Sequence, residues 1–231
     1  MNTKIVRMCG TVIAVLTATL IVSGCAVTKQ ARSVEKSGFL GDYSKLKSGE
    51  KDRSLLYYEN PAAVWPSYDK VLLDPVRVYT SPESGLGKVS REELQSIVNY
   101  FDASVRTALE ADYKIVDKPG PGTIRIRIAL TDAAGSKEIS DTISNVLPPG
   151  IAISLLKEAF TGKALGVGDA SVEVELLDSV SDDRLAAAVD ARVGGKTFKG
   201  KFDKWDDVKK SIDYWSEKLR SRLADSQAGQ K

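Results

Sequence analysis

Between residues 123 and 130 the chain reads TIRIRIAL, with Ile124, Ile126, Ile128 and Leu130 alternating against Arg125, Arg127 and Ala129. A period of two puts the four aliphatic side chains on one side of a pleated strand, so this segment belongs in a sheet with one buried face. Residues 171–178 (SVEVELLD) repeat the alternation, with Val172, Val174 and Leu176 opposite Glu173 and Glu175. A turn at Ser181-Asp182-Asp183 then leads to a further strand over 185–193. An apolar sheet face has to be covered, and two helical stripes are available to cover it. Ser90-Arg91-Glu92-Glu93 is a capping box, followed by Leu94, Ile97, Val98, Phe101, Val105 and Leu109 at helical spacing. Val208, Ile212, Trp215, Leu219 and Leu223 form a second stripe, with Asp206 and Asp207 at its start and Lys218, Arg220 and Arg222 towards its end.

Residues 70–79 (KVLLDPVRVY) are β-rich, although Pro75 removes a ladder donor and marks an edge or a bulge. Residues 114–117 form a short strand and Pro119-Gly120-Pro121-Gly122 a turn. The order is strand, helix, two strands, an insertion, two strands, helix. It predicts an α+β two-layer sandwich: one mixed sheet of four to five strands, two helices on one face, and a helical insertion over 133–170. A helix between the first two strands makes a right-handed crossover if those strands are parallel neighbours.

The first 25 residues say where such a domain is sent. Lys4 and Arg7 precede an eleven-residue apolar run over 12–22, which spans about 16 Å as a helix and is too short to cross a bilayer. Val22-Ser23-Gly24-Cys25 follows and resembles the bacterial lipobox, whose cysteine is acylated and becomes the mature N-terminus. Residues 1–24 are therefore expected to be a lipoprotein signal peptide, 25–54 a lipidated tether and 55–231 a single domain. Cys25 is the lipidation site, and its acyl chains suffice for durable anchoring. Ala26 in place of Asp implies, by the enterobacterial sorting rule, the periplasmic face of the outer membrane. Cys9 falls in the discarded segment. Loss of Lys4 and Arg7 from a chain with 33 basic and 31 acidic residues leaves a formally neutral protein, which removes the usual electrostatic support for nucleic-acid binding.

The absence of histidine excludes histidine acid–base chemistry, histidine-based nucleophile systems and histidine-ligated metals. Two cysteines exclude a disulfide scaffold or a thiolate zinc cluster. Thr161-Gly162-Lys163 fails as a phosphate loop, because Lys157 stands at the first glycine position and Ala164 at the hydroxyl position. No enzyme and no cofactor is expected. Arg125 and Arg127 with Glu173 and Glu175 are expected as cross-strand ion pairs on a solvated face, the alternatives being an anion site on the arginines or a hydrolase carboxylate pair.

Three segments invite a binding role. The island Gly38-Phe39-Leu40-Gly41-Asp42-Tyr43 within the tether reads as a strap docking on the domain or as a recognition peptide. The insertion carries Val146, Leu147, Ile151, Leu155 and Phe160, which either cover the bare sheet or offer an apolar patch to a protein partner. In 194–205, Lys196, Lys199, Lys201 and Lys204 interleave with Phe198, Phe202 and Trp205. This pattern suits either an aromatic pin for the last helix or a site for lipid headgroups or cell-wall polymer.

The island, Leu72-Leu73-Asp74-Pro75-Val76, Leu130-Thr131-Asp132-Ala133 and Asp213-Tyr214-Trp215 together resemble the Gram-negative lipoprotein family of domain of unknown function 3313. That resemblance implies an envelope lipoprotein without an assigned activity. The combined expectation is a lipid-anchored periplasmic accessory or structural lipoprotein that binds an envelope protein. The alternative is a lipid- or cell-wall-ligand module built on 194–205.

Overall fold

The computed structural model describes residues 28–50, 52–79, 86, 89–134, 169–194 and 205–229. Three long antiparallel strands form its centre: β7 (Thr123–Ala134), β8 (Asp169–Asp178) and β9 (Arg184–Val193). The isoleucine alternation of β7 is buried on one side, with Ile124, Ile126 and Leu130 fully enclosed. Short strands complete each edge. β4 (Lys70–Leu73) and β5 (Arg77–Val78) both run parallel to β7, and β6 (Lys114–Val116) runs parallel to β4. Pro75 lies in the gap that divides β4 from β5, in keeping with its missing donor.

On the other side, β9 is shared by β3 (Leu56–Glu59) and β1 (Lys29–Gln30), and β2 (Lys47–Ser48) pairs with β3. Among the described residues the sheet therefore has nine strands, in the order β2-β3-β9-β8-β7-β4-β6 with β1 and β5 alongside, instead of four or five. The excess comes from pieces of two to four residues, which are too short to show a period and take their conformation from the strand they pair with.

The two α-helices among the described residues cover one face. α1 (Arg91–Glu110) begins as expected: Ser90 Oγ accepts the Glu93 N–H at 3.3 Å and lies 3.1 Å from its carboxylate. Ile97, Phe101, Val105 and Leu109 are its buried stripe. α2 (Asp206–Ala228) lies beside it, with Phe101 stacked on Trp215 at 6.3 Å and the Tyr100 hydroxyl donating to Asp213 at 2.9 Å. α2 runs on to Ala228, so Lys218, Arg220 and Arg222 lie inside it and not in its last turn. Arg220 instead ties α2 to the turn that follows α1, donating to Asp112 at 2.6 Å.

The second sheet face is covered too. Phe39 and Leu40 of the island pack on Ala129, Ala187 and Val189, with Val34, Tyr43 and Leu46 around them. Of the two readings of the island, the docked strap is the one observed. Much of the segment between 28 and 48 thereby belongs to the folded body.

Candidate functional site

β9 turns two charged residues inward, towards the helices. Asp190 accepts from Trp215 Nε1 at 2.8 Å, from Gln30 Nε2 at 2.7 Å and from the Leu55 N–H at 3.2 Å. Arg192 donates from Nε to Thr28 Oγ1 at 2.9 Å and from Nη2 to the Thr28 carbonyl at 2.6 Å. Its guanidinium lies 3.6 Å from the centre of the Tyr214 ring. Arg192 is only 6% exposed, and burial pulls its pKa below the ordinary arginine value, opposed by Tyr214 and Asp190. A buried charge costs several kcal/mol unless its donors are used. Here they are used to hold the start of the described chain, and residues 28–30 are clamped to β9.

The strap face holds the acidic pair. Glu173 is 0% exposed and accepts the Tyr43 O–H at 2.6 Å, the Ser37 N–H at 2.7 Å and the Leu40 N–H at 3.3 Å. Burial, and then the Glu173 carboxylate, push the Tyr43 hydroxyl up to about 12. Glu175 is held between Arg127 Nη1 at 2.5 Å and Arg184 Nε at 2.7 Å, and Arg184 also donates to the carbonyls of Leu40 and Asp42 at 2.7 Å. Arg125 pairs with Asp74 at 2.9 Å. The cross-strand Arg127–Glu175 pair is present. The solvated face is not: the strap buries both carboxylates, and Glu173 takes backbone and phenol donors instead of an arginine. Neither glutamate borders the groove described next, so their arrangement serves attachment of the strap.

That groove, of about 420 Å³, runs between α2 and the outer strands. Val174, Ala186 and Ala188 make its floor, Trp65, Trp215 and Leu219 its apolar walls, and Arg53, Lys218, Glu59 and Asp225 stand among its charged lining residues. It exists because α2 leans on α1, and because two alanines of β9 do not fill the space left over β3. Among the described residues no cluster of three or more Cys, Asp or Glu could hold a metal ion, and no helix is long and apolar enough to cross a membrane.

Cys25, the insertion residues Val146, Leu147, Ile151, Leu155 and Phe160, and the loop residues Lys196, Phe198, Lys199, Lys201 and Phe202 lie outside the described residues. The points where the chain departs for them are described, and they coincide. Ala134 pairs with Asp169, Asp169 with Val193, and Val193 with Lys29. Gly194 rests against the Asp207 side chain at the start of α2. The opposite end is closed by compact turns, at Gly122, whose carbonyl accepts the Asp69 and Lys70 N–H groups, and at Asp178–Asp183. Asp190, Arg192 and the Glu173–Tyr43 contact escaped the sequence reading. Two opposite charges in the otherwise apolar strand AAAVDARV were the available signal.

The uncharacterized lipoprotein YdcL of Escherichia coli K12 is 30% identical over 128 residues, covering 54% of this chain and 57% of the relative. The match thus spans a little over half the length of that protein. Among solved structures, the PelC dodecamer from Paraburkholderia phytofirmans aligns with a TM-score of 0.39 and 15% identity over 71% of this chain and 94% of that one. Lipoprotein GNA1162 from Neisseria meningitidis aligns with a TM-score of 0.33 and 12% identity over 68% and 98%. The model of the protein family of unknown function DUF3313 matches residues 35–219, from the strap through both layers to the last helix, and this chain belongs to that family.

Proposed function

We propose that this protein is a lipid-anchored lipoprotein of the Gram-negative envelope, attached through Cys25 at the periplasmic face of the outer membrane. It acts without catalysis, by binding an envelope protein through the insertion, with Val146, Leu147, Ile151, Leu155 and Phe160 as contact residues. The lipobox-like Val22-Ser23-Gly24-Cys25 supports the anchor, and the E. coli relative is itself called a lipoprotein. The observation that carries the reading is the convergence at one sheet end: the chain from Cys25 enters where the 135–168 segment leaves and returns. A partner met there is met beside the membrane.

Photo-crosslinkers placed at Val146 and Leu155 in intact cells should each give one defined adduct that disappears in a Cys25→Ser strain. Absence of any adduct overturns the protein-partner reading. If, in addition, charge reversal at Lys199 and Lys201 abolishes binding to vesicles or sacculi, the function passes to a lipid- or cell-wall-ligand module.

A further inference from the structure

The clamp on β1 decides how far the domain stands from its anchor. A flexible tether over 25–54 would reach roughly 100 Å when extended, at ~3.5 Å per residue. The stretch between Cys25 and the clamp is far shorter. Three peptide units separate Cys25 from Thr28, at most about 11 Å. Thr28 is fixed by two bonds from Arg192, Gln30 by its bond to Asp190, and Lys29 and Gln30 by their register on Val193 and Arg192. From this end the sheet runs away along β7, whose 12 residues extend about 36–40 Å at ~3.3 Å each, to the turns at Gly122 and Asp178–Asp183. α1 returns the same way over its 20 residues, about 30 Å, before the chain enters β6.

We infer that the bilayer surface is the partner of this end of the sheet: the exposed Lys29 and the half-buried Asp206 lie nearest the lipid headgroups, with Thr28 buried behind them, and the far turns project into the periplasm. The inference rests on acylation of Cys25 and goes beyond it, because an acylated protein on a long tether would have no preferred face. The seat is held by the covalent anchor and the β1 clamp. Among the described residues at this end, Asp169 and Asp206 offset Lys29.

The test uses the full chain, processed in cells, purified in its lipidated form and reconstituted in phosphatidylethanolamine–phosphatidylglycerol vesicles containing nitroxide-headgroup lipid. Removal of Cys9 and acylation of Cys25 leave no free thiol, so Arg91→Cys and Val180→Cys each carry a single fluorophore. Arg91 opens α1 and is exposed, and Val180 is exposed in the far turn. Quenching should be several-fold stronger at position 91 than at 180. Ten Gly/Ser residues inserted between Val27 and Thr28 should reduce quenching at 91 to the level at 180. Equal quenching at the two positions, or quenching at 91 that survives the insertion, overturns the inference. The mass of the N-terminal peptide reports acylation separately: an unmodified Cys25 would overturn the anchor itself and the seat with it.

Discussion

Glu173→Gln distinguishes a carboxylate that holds the strap from one that is merely buried beneath it. The glutamate accepts the Tyr43 O–H at 2.6 Å, the Ser37 N–H at 2.7 Å and the Leu40 N–H at 3.3 Å, and is 0% exposed. Hydrogen bonds to a charged acceptor contribute about 1.5–3 kcal/mol each. Glutamine keeps one carbonyl oxygen and turns an NH₂ group towards the remaining donors, so one short bond is lost and a donor meets a donor. Against this, an amide is less costly to bury than a carboxylate, and replacing a buried charge is in some proteins neutral or stabilising. The two short contacts at this site favour the first effect, giving a net loss of about 2–4 kcal/mol concentrated in the strap. Native-state hydrogen exchange of the protein reads this directly. Peptides over 34–46 should exchange roughly 30- to 700-fold faster, at a decade per ~1.4 kcal/mol, while α1 peptides keep their protection. Strap exchange that is unchanged or slower would show that relief of charge burial outweighs the lost bonds, and the attachment argument would fail.

The fold is also expected to be alkali-labile. Tyr43, Tyr68, Tyr100 and Tyr113 are each pushed up to about 12, chiefly by burial and then by a neighbouring carboxylate. A tyrosine whose folded pKa is raised contributes stability that is present below its unfolded value near 10 and lost as pH rises through about 12, so the urea midpoint should fall between pH 10 and 12. A flat midpoint across that window would contradict it. Gly122→Ala puts a side chain on a residue at φ +70°, with Cβ 2.9 Å from the Ser67 carbonyl, and should cost about 1–3 kcal/mol in chemical denaturation. Trp215→Phe keeps most of the stacked ring against Phe101 but removes the donor to Asp190, with an expected loss of about 1–3 kcal/mol. A change under ~0.5 kcal/mol would show that Asp190 is satisfied without it.

What the sequence made legible was whatever repeats. The Ile124–Leu130 alternation, the Ile97–Leu109 stripe and the Ser90–Glu93 box each state a period or a spacing, and each element formed where they placed it. Lys29–Gln30 and Lys47–Ser48 could not be read that way. Two exposed residues have no period, and they become strands only because β9 and β3 offer open edges. Glu173 was misread for a related reason. Alternation shows which face of a strand is less apolar, but not whether that face meets water. The strap that covers it lies about 130 residues earlier in the chain. Arg125 likewise found Asp74 on the adjacent parallel strand side, where strand order was still unknown from sequence.

The misread charges share one task, and it explains why they are charges. A two-residue strand cannot choose its register by burying alternate side chains, since Lys29 and Gln30 are both exposed. A slip of one residue along β9 would cost β1 little in its own ladder. It would cost the clamp a great deal: Arg192 would lose the Thr28 hydroxyl and carbonyl, and Asp190 the Gln30 amide, leaving two buried ions short of partners. An aliphatic pair at 190 and 192 would pack against Trp215 and Tyr214 with a smaller desolvation penalty, and it would hold the entering chain equally well in several registers. Glu173 acts similarly on the other face, where Gly38-Phe39-Leu40-Gly41 has to place specific N–H groups and not only bury two apolar side chains. Directional bonds to buried charges thus fix where the N-terminal chain enters the sheet.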